Sequence, residues 1–475
     1  MPGSSKKILL FGLLLYLSVL IVNDGFMALD EYWVGITRYI PAQTSTVMTL
    51  VAPDDVKSPL QLLPMHAVAQ GALKAGVTNP YWQYRAVLLV LGVISTLFTF
   101  LSFFKFAQIE KLSEKQTGFL YLMLIFYFAA PFGLTRPMFE SVAAPWLTLA
   151  GVFALRYDIE EKLSDLLLGV FFGSMAFVLR QQLGICALVF IILPLLKKNW
   201  RHFALASILG LVFFVLSGIP DYYIRGKFHY SLLNLTVYNF DHGSEYGKQS
   251  ILFYPALIFV IAFIPFFIKK YPAGFLRNYA IRFRSLLMFV ALFVALHSLF
   301  PNKWERFVVS LLPILVLLIF PFLYYLQSKF KENKIRLVAL YSLNGALFFL
   351  ASFFPAQKNL IEMSRYLANH PEIRKIHRVA DTPGWITEAF ILNKHFEFVE
   401  SSSALLQAEN WKDCANAVVI GAAQEEQYKA LTAGLHQVAV FDVNLIEQLA
   451  FKFNPEKNLR RVQLKLYSGC DHGSD

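Results

Sequence analysis

The sequence predicts an α-helical integral membrane protein of about eleven transmembrane helices, followed by a small C-terminal α/β domain. Three observations carry this. Apolar residues fill 56% of the 475 positions, Phe alone 46 of them, and charged residues only 16%. A soluble domain runs at about 45–50% apolar and about a quarter charged. The excess gathers in blocks of roughly 15 to 22 residues, the length a helix needs to cross ~30 Å of hydrocarbon. Beyond residue 354 the composition becomes that of a soluble domain, which divides the chain into a membrane body, 1–354, and a water-facing domain, 355–475.

In chain order the apolar runs fall at 8–24, 86–104, 119–135, 141–155, 164–179, 183–196, 203–219, 251–268, 286–300, 307–327 and 337–354. The first follows Lys6 and Lys7 and has no small-x-small cleavage site around Asn23–Ala28, so it reads as a retained anchor. Runs 141–155 and 286–300 are short enough to be tilted, broken or paired in a re-entrant hairpin. Segment 25–85 is too long for a simple connector and should hold a functional element. It follows Asp24, carries Asp30-Glu31-Tyr32-Trp33 and Asp54-Asp55, and its stretch Pro59–Leu73 around His66 has the character of an interfacial helix. Segment 220–250 mixes aromatic and polar groups, from Asp221 and His229-Tyr230 to Gly243-Ser244-Glu245-Tyr246-Gly247, as suits the headgroup level. In the tail, helices are expected over 358–370, 384–392 and 424–434, and strands over 373–379, 415–421 and 436–442. The Gly421-Ala422-Ala423 turn lacks the spaced glycines and Lys-Ser/Thr pair of a phosphate-binding loop.

The net charge of +11 suits nucleic acid, but its placement does not. Basic residues cluster at the ends of apolar runs, as in Lys269, Lys270, Arg277, Arg282 and Arg284, and in Lys329, Lys331, Lys334 and Arg336. That is the pattern of cytoplasmic loops beside anionic lipid, and it sets nucleic acid aside as a partner. With a cytoplasmic N-terminus, loops 105–118, 156–163, 197–202, 269–285 and 328–336 all face the cytoplasm and all carry Lys or Arg. Segments 25–85, 136–140, 180–182, 220–250, 301–306 and the tail then lie on the opposite side, although an error of one span would reverse the tail. Cys186 lies in an apolar run, and Cys414 can pair with Cys470 if the tail is outside.

Polar residues at membrane ends mark the chemistry. Asp30 and Glu31 are adjacent carboxylates just past the first run, which alone could be mere loop hydration. On the same side stand Arg136 with Glu140, Arg180 with Gln181 and Gln182, and Lys303 with Glu305 and Arg306. Charges this close to an apolar core are costly unless paired or wetted by a cavity, so together they suggest a polar vestibule with a basic floor and a carboxylate rim. Arg and Lys can hold the phosphate of a lipid carrier, and a carboxylate can take a proton from an acceptor hydroxyl. Equally, Glu305 and Arg306 could pair with each other and cap a span. His66, His229, His242 and His297 have no metal-ligand spacing, and no metal or other cofactor is expected. The single sequon, Asn234-Leu235-Thr236, is a weak sign.

At these residues the chain resembles the polytopic mannosyltransferase family that includes the lumenal Alg9-type enzymes and the third and fourth mannosyltransferases of GPI-anchor assembly. Asn302-Lys303-Trp304-Glu305-Arg306-Phe307 with Leu311-Leu312-Pro313 is similar to that family's His-Lys-Glu-x-Arg-Phe and the Leu/Pro-rich span after it. Phe228-His229-Tyr230-Ser231 through Asn239 to Gly247, and Asp30-Glu31-Tyr32-Trp33 against His-Pro-Asp-Glu-x-Phe, resemble two further motifs. Tyr84-Arg85 and Arg136–Glu140 match more weakly, and all of these fall in the family's order across most of 1–327. The resemblance implies a GT-C-type glycosyltransferase of family 22, active on the lumenal or periplasmic side. It implies a polyprenyl-phosphate hexose donor, typically mannose, a glycan or glycolipid acceptor, inversion at the anomeric carbon, and no metal. Asp30, with Glu31 beside it, would be the base. Lys303 and Arg306 would neutralise the donor phosphate, with His229 near the pocket; by the charge pattern, Arg136, Arg180 and Glu305 join the same donor-phosphate and substrate site. Ala28, Leu29, Asn302 and Trp304 depart from the motifs and bear on donor or acceptor recognition.

Two other classes stay open on sequence grounds. A transporter or flippase of a lipid-linked substrate would show internal repeats and charges near the midplane, whereas here no repeat is evident and the charges lie toward one face. A non-catalytic glycosylation scaffold would tolerate changes at Asp30 and Arg306. The compact loops favour a bacterial inner membrane over the ER membrane.

Overall fold

The computed structural model describes residues 3–27, 31, 37–40, 56–243, 249–301, 303–379, 397–401, 411–453 and 461–470. Asp30, Ala28, Leu29, Tyr32, Trp33, Asp54, Asp55, the Ser244–Gly247 stretch, Asn302 and the helix expected over 384–392 lie outside the described residues. The chain forms two units. One comprises Met1–Ile21, Thr44–Val68 and Val87–Ser352; the other comprises Val22–Gln43, Ala69–Ala86 and Phe353–Asp475.

Each apolar run is helical over most of its length, although 119–135 is broken at 127–129 and 251–268 at 262–263. In order these are α1 (Gly3–Val22), α2 (Pro59–Lys74, the expected interfacial stretch), α3 (Pro80–Ile109), α4 (Glu114–Phe126), α5 (Phe139–Glu160) and α6 (Leu163–Leu179). A 3-10 turn, Gln181–Leu188, leads into α7 (Val189–Leu196), followed by α8 (Trp200–Arg225), α9 (Tyr230–Asp241) and α10 (Phe253–Ile261). Next come α11 (Phe275–Arg282) and α12 (Arg284–Leu299), then a 3-10 turn Glu305–Leu311 that opens α13 (Leu312–Ser328), and α14 (Phe330–Phe353). Among the described residues, five helices are long and apolar enough to cross a membrane by themselves, or six if α11 and α12, bent by 76°, make one span. The other apolar runs are shorter helices or are broken by a 3-10 turn, as at 183–196. Segment 220–250 is largely helical: α8 runs on to Arg225 and ends at the left-handed Gly226, and α9 begins four residues later.

Helix α5 is the centre of the first unit, buried along almost its whole length. Its neighbour α6 follows after a two-residue turn at Glu161 and Lys162, with Glu161 in the left-handed conformation. Close approach in this unit is bought with glycine. A Cβ on Gly169 would lie 2.3 Å from the Phe190 ring, and one on Gly173 would lie 3.0 Å from it. Such contacts replace the hydrophobic driving force that lipid cannot supply between helices.

In the second unit, α15 (Lys358–Asn369) packs on a mixed sheet ordered β2-β1-β3-β5-β4, with strands Lys375–Val379, Glu397–Ser401, Asn416–Gly421, His436–Phe441 and Leu464–Ser468 numbered in chain order. Strand β1 runs parallel to β2 and β3, and β5 runs antiparallel to β3 and β4. Strand alternation divides the core: Ala417 and Val419 face Leu360, Met363 and Leu367 of α15, while Val418 and Ile420 face Tyr428 and Tyr467. The expected helix over 424–434 is only the short turn Lys429–Thr432, and the sequence reading did not foresee β2, β5 or the final helix α16 (Leu445–Phe453). Cys414 and Cys470 form a disulfide beside β3 and β5.

Candidate functional site

In the first unit the site is organised by the α5–α6 hairpin. Because α6 returns along α5, its C-terminal end meets the N-terminal turn of α5. Glu140 lies in that first turn, where a helix dipole favours an anion, and Arg180 caps the end of α6, where it favours a cation. Arg180 Nη2 is 2.9 Å from Glu140 Oε1. Arg306, on the 3-10 turn before α13, brings its Nε within 3.8 Å of the same oxygen, and Ser310 of that turn donates to the Glu140 carbonyl at 3.2 Å. Phe307 lies under both guanidiniums, at 4.9 Å from Arg180 and 5.3 Å from Arg306. Both Glu140 and Arg180 are buried. Two guanidiniums thus meet one buried carboxylate. Removing either partner of a buried pair costs far more than the pair itself contributes.

The remaining predicted residues of this unit take different positions. Arg136 is almost fully buried, with its guanidinium 4.5 Å from the centre of the Phe132 ring. Lys303 donates to the carbonyls of Gln249 and Phe300 at 3.1 and 2.6 Å, and burial lowers its pKa below the ordinary lysine value. Glu305 is exposed, and Arg306 turns to Glu140. His229 stands at the left-handed start of α9, its ring stacked 3.9 Å from Phe214 and its Nε2 donating to the Phe214 carbonyl at 2.8 Å. Next to Arg180, Gln181 donates from Nε2 to Ser231 Oγ at 2.9 Å, and Ser231 gives both its hydroxyl and its backbone N–H to Asp221. Asp221 also binds Arg225, whose Nη2 donates to the Lys57 carbonyl at 3.0 Å. This buried chain ties α6, α8 and α9 together at one level.

The second unit holds a carboxylate centre. Glu31 is buried, accepting from the Met27 N–H at 3.0 Å and from the Tyr84 hydroxyl at 3.0 Å. The same hydroxyl lies 3.3 Å from the Asp24 carbonyl, so Tyr84 bridges the start and the acidic end of the loop. Asp24 Oδ2 accepts from Tyr81 at 2.7 Å and from Arg365 of α15 at 2.8 Å, with Arg85 at 4.0 Å. Gly25 is fitted against the backbone of Ala356, where a Cβ would come within 2.3 Å of its nitrogen, and the Phe26 N–H donates to the Ala356 carbonyl at 3.1 Å. Sequence reasoning named Tyr84 and Arg85 but gave Asp24 and Arg365 no role. Nothing local to Asp24 points to a partner in the tail.

A family model described as the Alg9-like mannosyltransferase family matches residues 54–386. The chain belongs to that family. It is thus a membrane glycosyltransferase, as its motif order implied. No curated protein matches the sequence closely. The fold is similar to that of ArnT from Cupriavidus metallidurans, solved bound to undecaprenyl phosphate: 12% identity, 99% of this chain and 98% of that chain covered, TM-score 0.60. The apo state of the same protein is matched at 12% identity with a TM-score of 0.59 over the same shares of both chains. The Archaeoglobus fulgidus oligosaccharyltransferase is matched at 11% identity over 90% of this chain and 69% of that chain, with a TM-score of 0.43. Likeness at this identity concerns the fold, here of GT-C type.

Proposed function

We propose that the protein transfers a hexose, mannose by its family, from a polyprenyl-phosphate carrier to a glycan or glycolipid acceptor, with inversion, without a metal, on the extracytoplasmic face. The observation that carries the donor reading is the buried Glu140 held between two guanidiniums, those of Arg180 and Arg306. Guanidinium forks match the oxygens of a phosphate monoester or diester. The undecaprenyl phosphate bound by the fold relative ArnT is a ligand of the same chemistry. By the family motifs and the charge pattern, Arg136, Lys303, His229 and Glu305 are assigned to the same donor and substrate site.

In the reaction the acceptor oxygen attacks the anomeric carbon, the bond from that carbon to the phosphate oxygen breaks, and the acceptor proton passes to a carboxylate. The carrier leaves as polyprenyl phosphate, its charge balanced by the cations. Asp30 is the base, and Glu31, gripped by Tyr84 and the Met27 N–H, fixes the loop beside it. The domain 355–475 stands outside with the acidic loop. Its Cys414–Cys470 disulfide supports this, since disulfides persist in oxidising compartments, and so do the basic loops on the other side. The membrane is a bacterial inner membrane.

The test is sugar transfer by protein in lipid nanodiscs, given polyprenyl-phosphate mannose, membrane lipid and glycan acceptors, and EDTA. Transfer is expected to survive EDTA, to collapse by roughly 100-fold or more in Asp30→Asn, and to show a raised donor KM in Arg306→Met. Folded protein that transfers no hexose from any polyprenyl phosphate would sink the reading.

A further inference from the structure

Helix α16 (Leu445–Phe453) has one fastened side and one bare side. On the fastened side Asn444 caps the helix, accepting from the Glu447 N–H at 2.9 Å, and its own amide donates to the Pro355 carbonyl at 2.6 Å. The buried Glu447 carboxylate accepts from the Gln357 N–H at 2.7 Å, and Phe451 packs on the core of the sheet. At about 100° per residue the opposite side carries Leu445, Ile446, Leu449 and Phe453. These are 58, 37, 46 and 87% exposed, and Lys452 beside them is also exposed. A contiguous ridge of large apolar side chains on a water-facing domain marks a surface that something covers.

Chain connectivity says what covers it. Pro355 and Gln357 are the second and fourth residues after Phe353, the last residue of α14. Four residues reach at most ~14 Å even when extended. The N-terminal end of α16 is therefore fastened to the point where the final apolar helix leaves the hydrocarbon. Helix α14 itself bares Ile335, Val338 and Phe349, the surface of a span that needs lipid.

We infer that α16 is an interfacial helix, lying in the headgroup layer beside the exit of α14 with Leu445, Leu449 and Phe453 among the acyl chains. Lys452 extends to the phosphate level, its stem along the apolar side. The C-terminal domain is thereby held on the bilayer at two points, by the span that precedes it and by α16 near its end.

The test uses the full chain, one copy per nanodisc, with an environment-sensitive fluorophore attached to Leu449→Cys or Phe453→Cys. Lys429→Cys, on an exposed polar turn of the same domain, is the control. Cys414 and Cys470 are paired and Cys186 is buried, so the introduced thiol is the one that reacts. Both ridge positions are expected to emit at shorter wavelength than the control. They should lose roughly half their emission to lipids with shallow doxyl groups and almost none to aqueous iodide. Quenching by iodide equal to the control overturns the inference. Shielding from both quenchers also overturns it, because the ridge would then be covered by protein.

Discussion

Asp24 draws its partners from remote parts of the chain. Tyr81 is 57 residues away and Arg365 is 341 away, yet both meet one carboxylate oxygen. The three are coupled, because Arg365 also donates to the Tyr81 hydroxyl at 2.8 Å and its guanidinium stacks on the Tyr81 ring. Losing the acceptor from such a group costs about 1–3 kcal/mol, chiefly through the donors it leaves behind. Asp24→Asn and Arg365→Ala should therefore each lower unfolding stability or transfer rate, and the double variant should lose little more than the worse single one. A coupling of about 1 kcal/mol in that cycle is expected, read from denaturation in detergent and from kcat in parallel. Strict additivity would mean that the pair is incidental to the loop that carries Glu31. None of this was legible from sequence, since a lone Asp after a span looks like hydration and its cation sits on an unremarkable tail helix. Glu140, Arg180 and Arg306 were better marked, because a charge at the end of an apolar run is already costly and asks for company.

Among elements, the packing of α6 against α7 depends on glycine. Gly169 and Gly173 stand one turn apart and present a flat strip to the Phe190 ring. Gly169→Ala places a methyl group 2.3 Å from that ring, and the ring is buried and cannot simply turn aside. Overpacking of this kind costs about 1–3 kcal/mol, and here it also tilts the helix whose end carries Arg180. The expected result is a lower melting temperature with a raised donor KM, and Phe190→Leu in the same chain should restore part of both. A Gly169→Ala protein as stable and active as the parent would show that α6 has freedom to shift. At this scale the membrane helices were legible because lipid writes them as long apolar blocks. In the tail, β3 announced itself by the run Val418-Val419-Ile420, and β1 and β4 by single β-branched residues, Ile376 and Val379 in one and Val438 and Val440 in the other. Strand β5 did not: its five residues, Leu-Lys-Leu-Tyr-Ser, gain their place by pairing with β3 and β4 rather than by local preference. Helix α16 stayed hidden because its apolar residues serve two sides at once.

For the whole molecule the decisive quantity is the parity of the spans, which fixes the side on which the tail and its disulfide stand. Broken and short helices make that parity hard to count: among the described residues, five or six elements are long and apolar enough to cross, and the other apolar runs are shorter or broken. The disulfide offers a count that does not depend on helices. Cys414 and Cys470 are separated by 56 residues, and closing a loop of that size constrains the unfolded tail by about 4 kcal/mol in the chain-entropy description. The bond is therefore a real contributor to the domain, and it persists where glutathione does not reach it. In intact cells a membrane-impermeant maleimide should leave the protein unlabelled. After an impermeant phosphine is added from outside, it should label two thiols, with Cys186 silent because it is buried. Labelling that needs the membrane opened first would put the tail in the cytoplasm. It would change the number of crossings by one and overturn the extracytoplasmic placement of the tail.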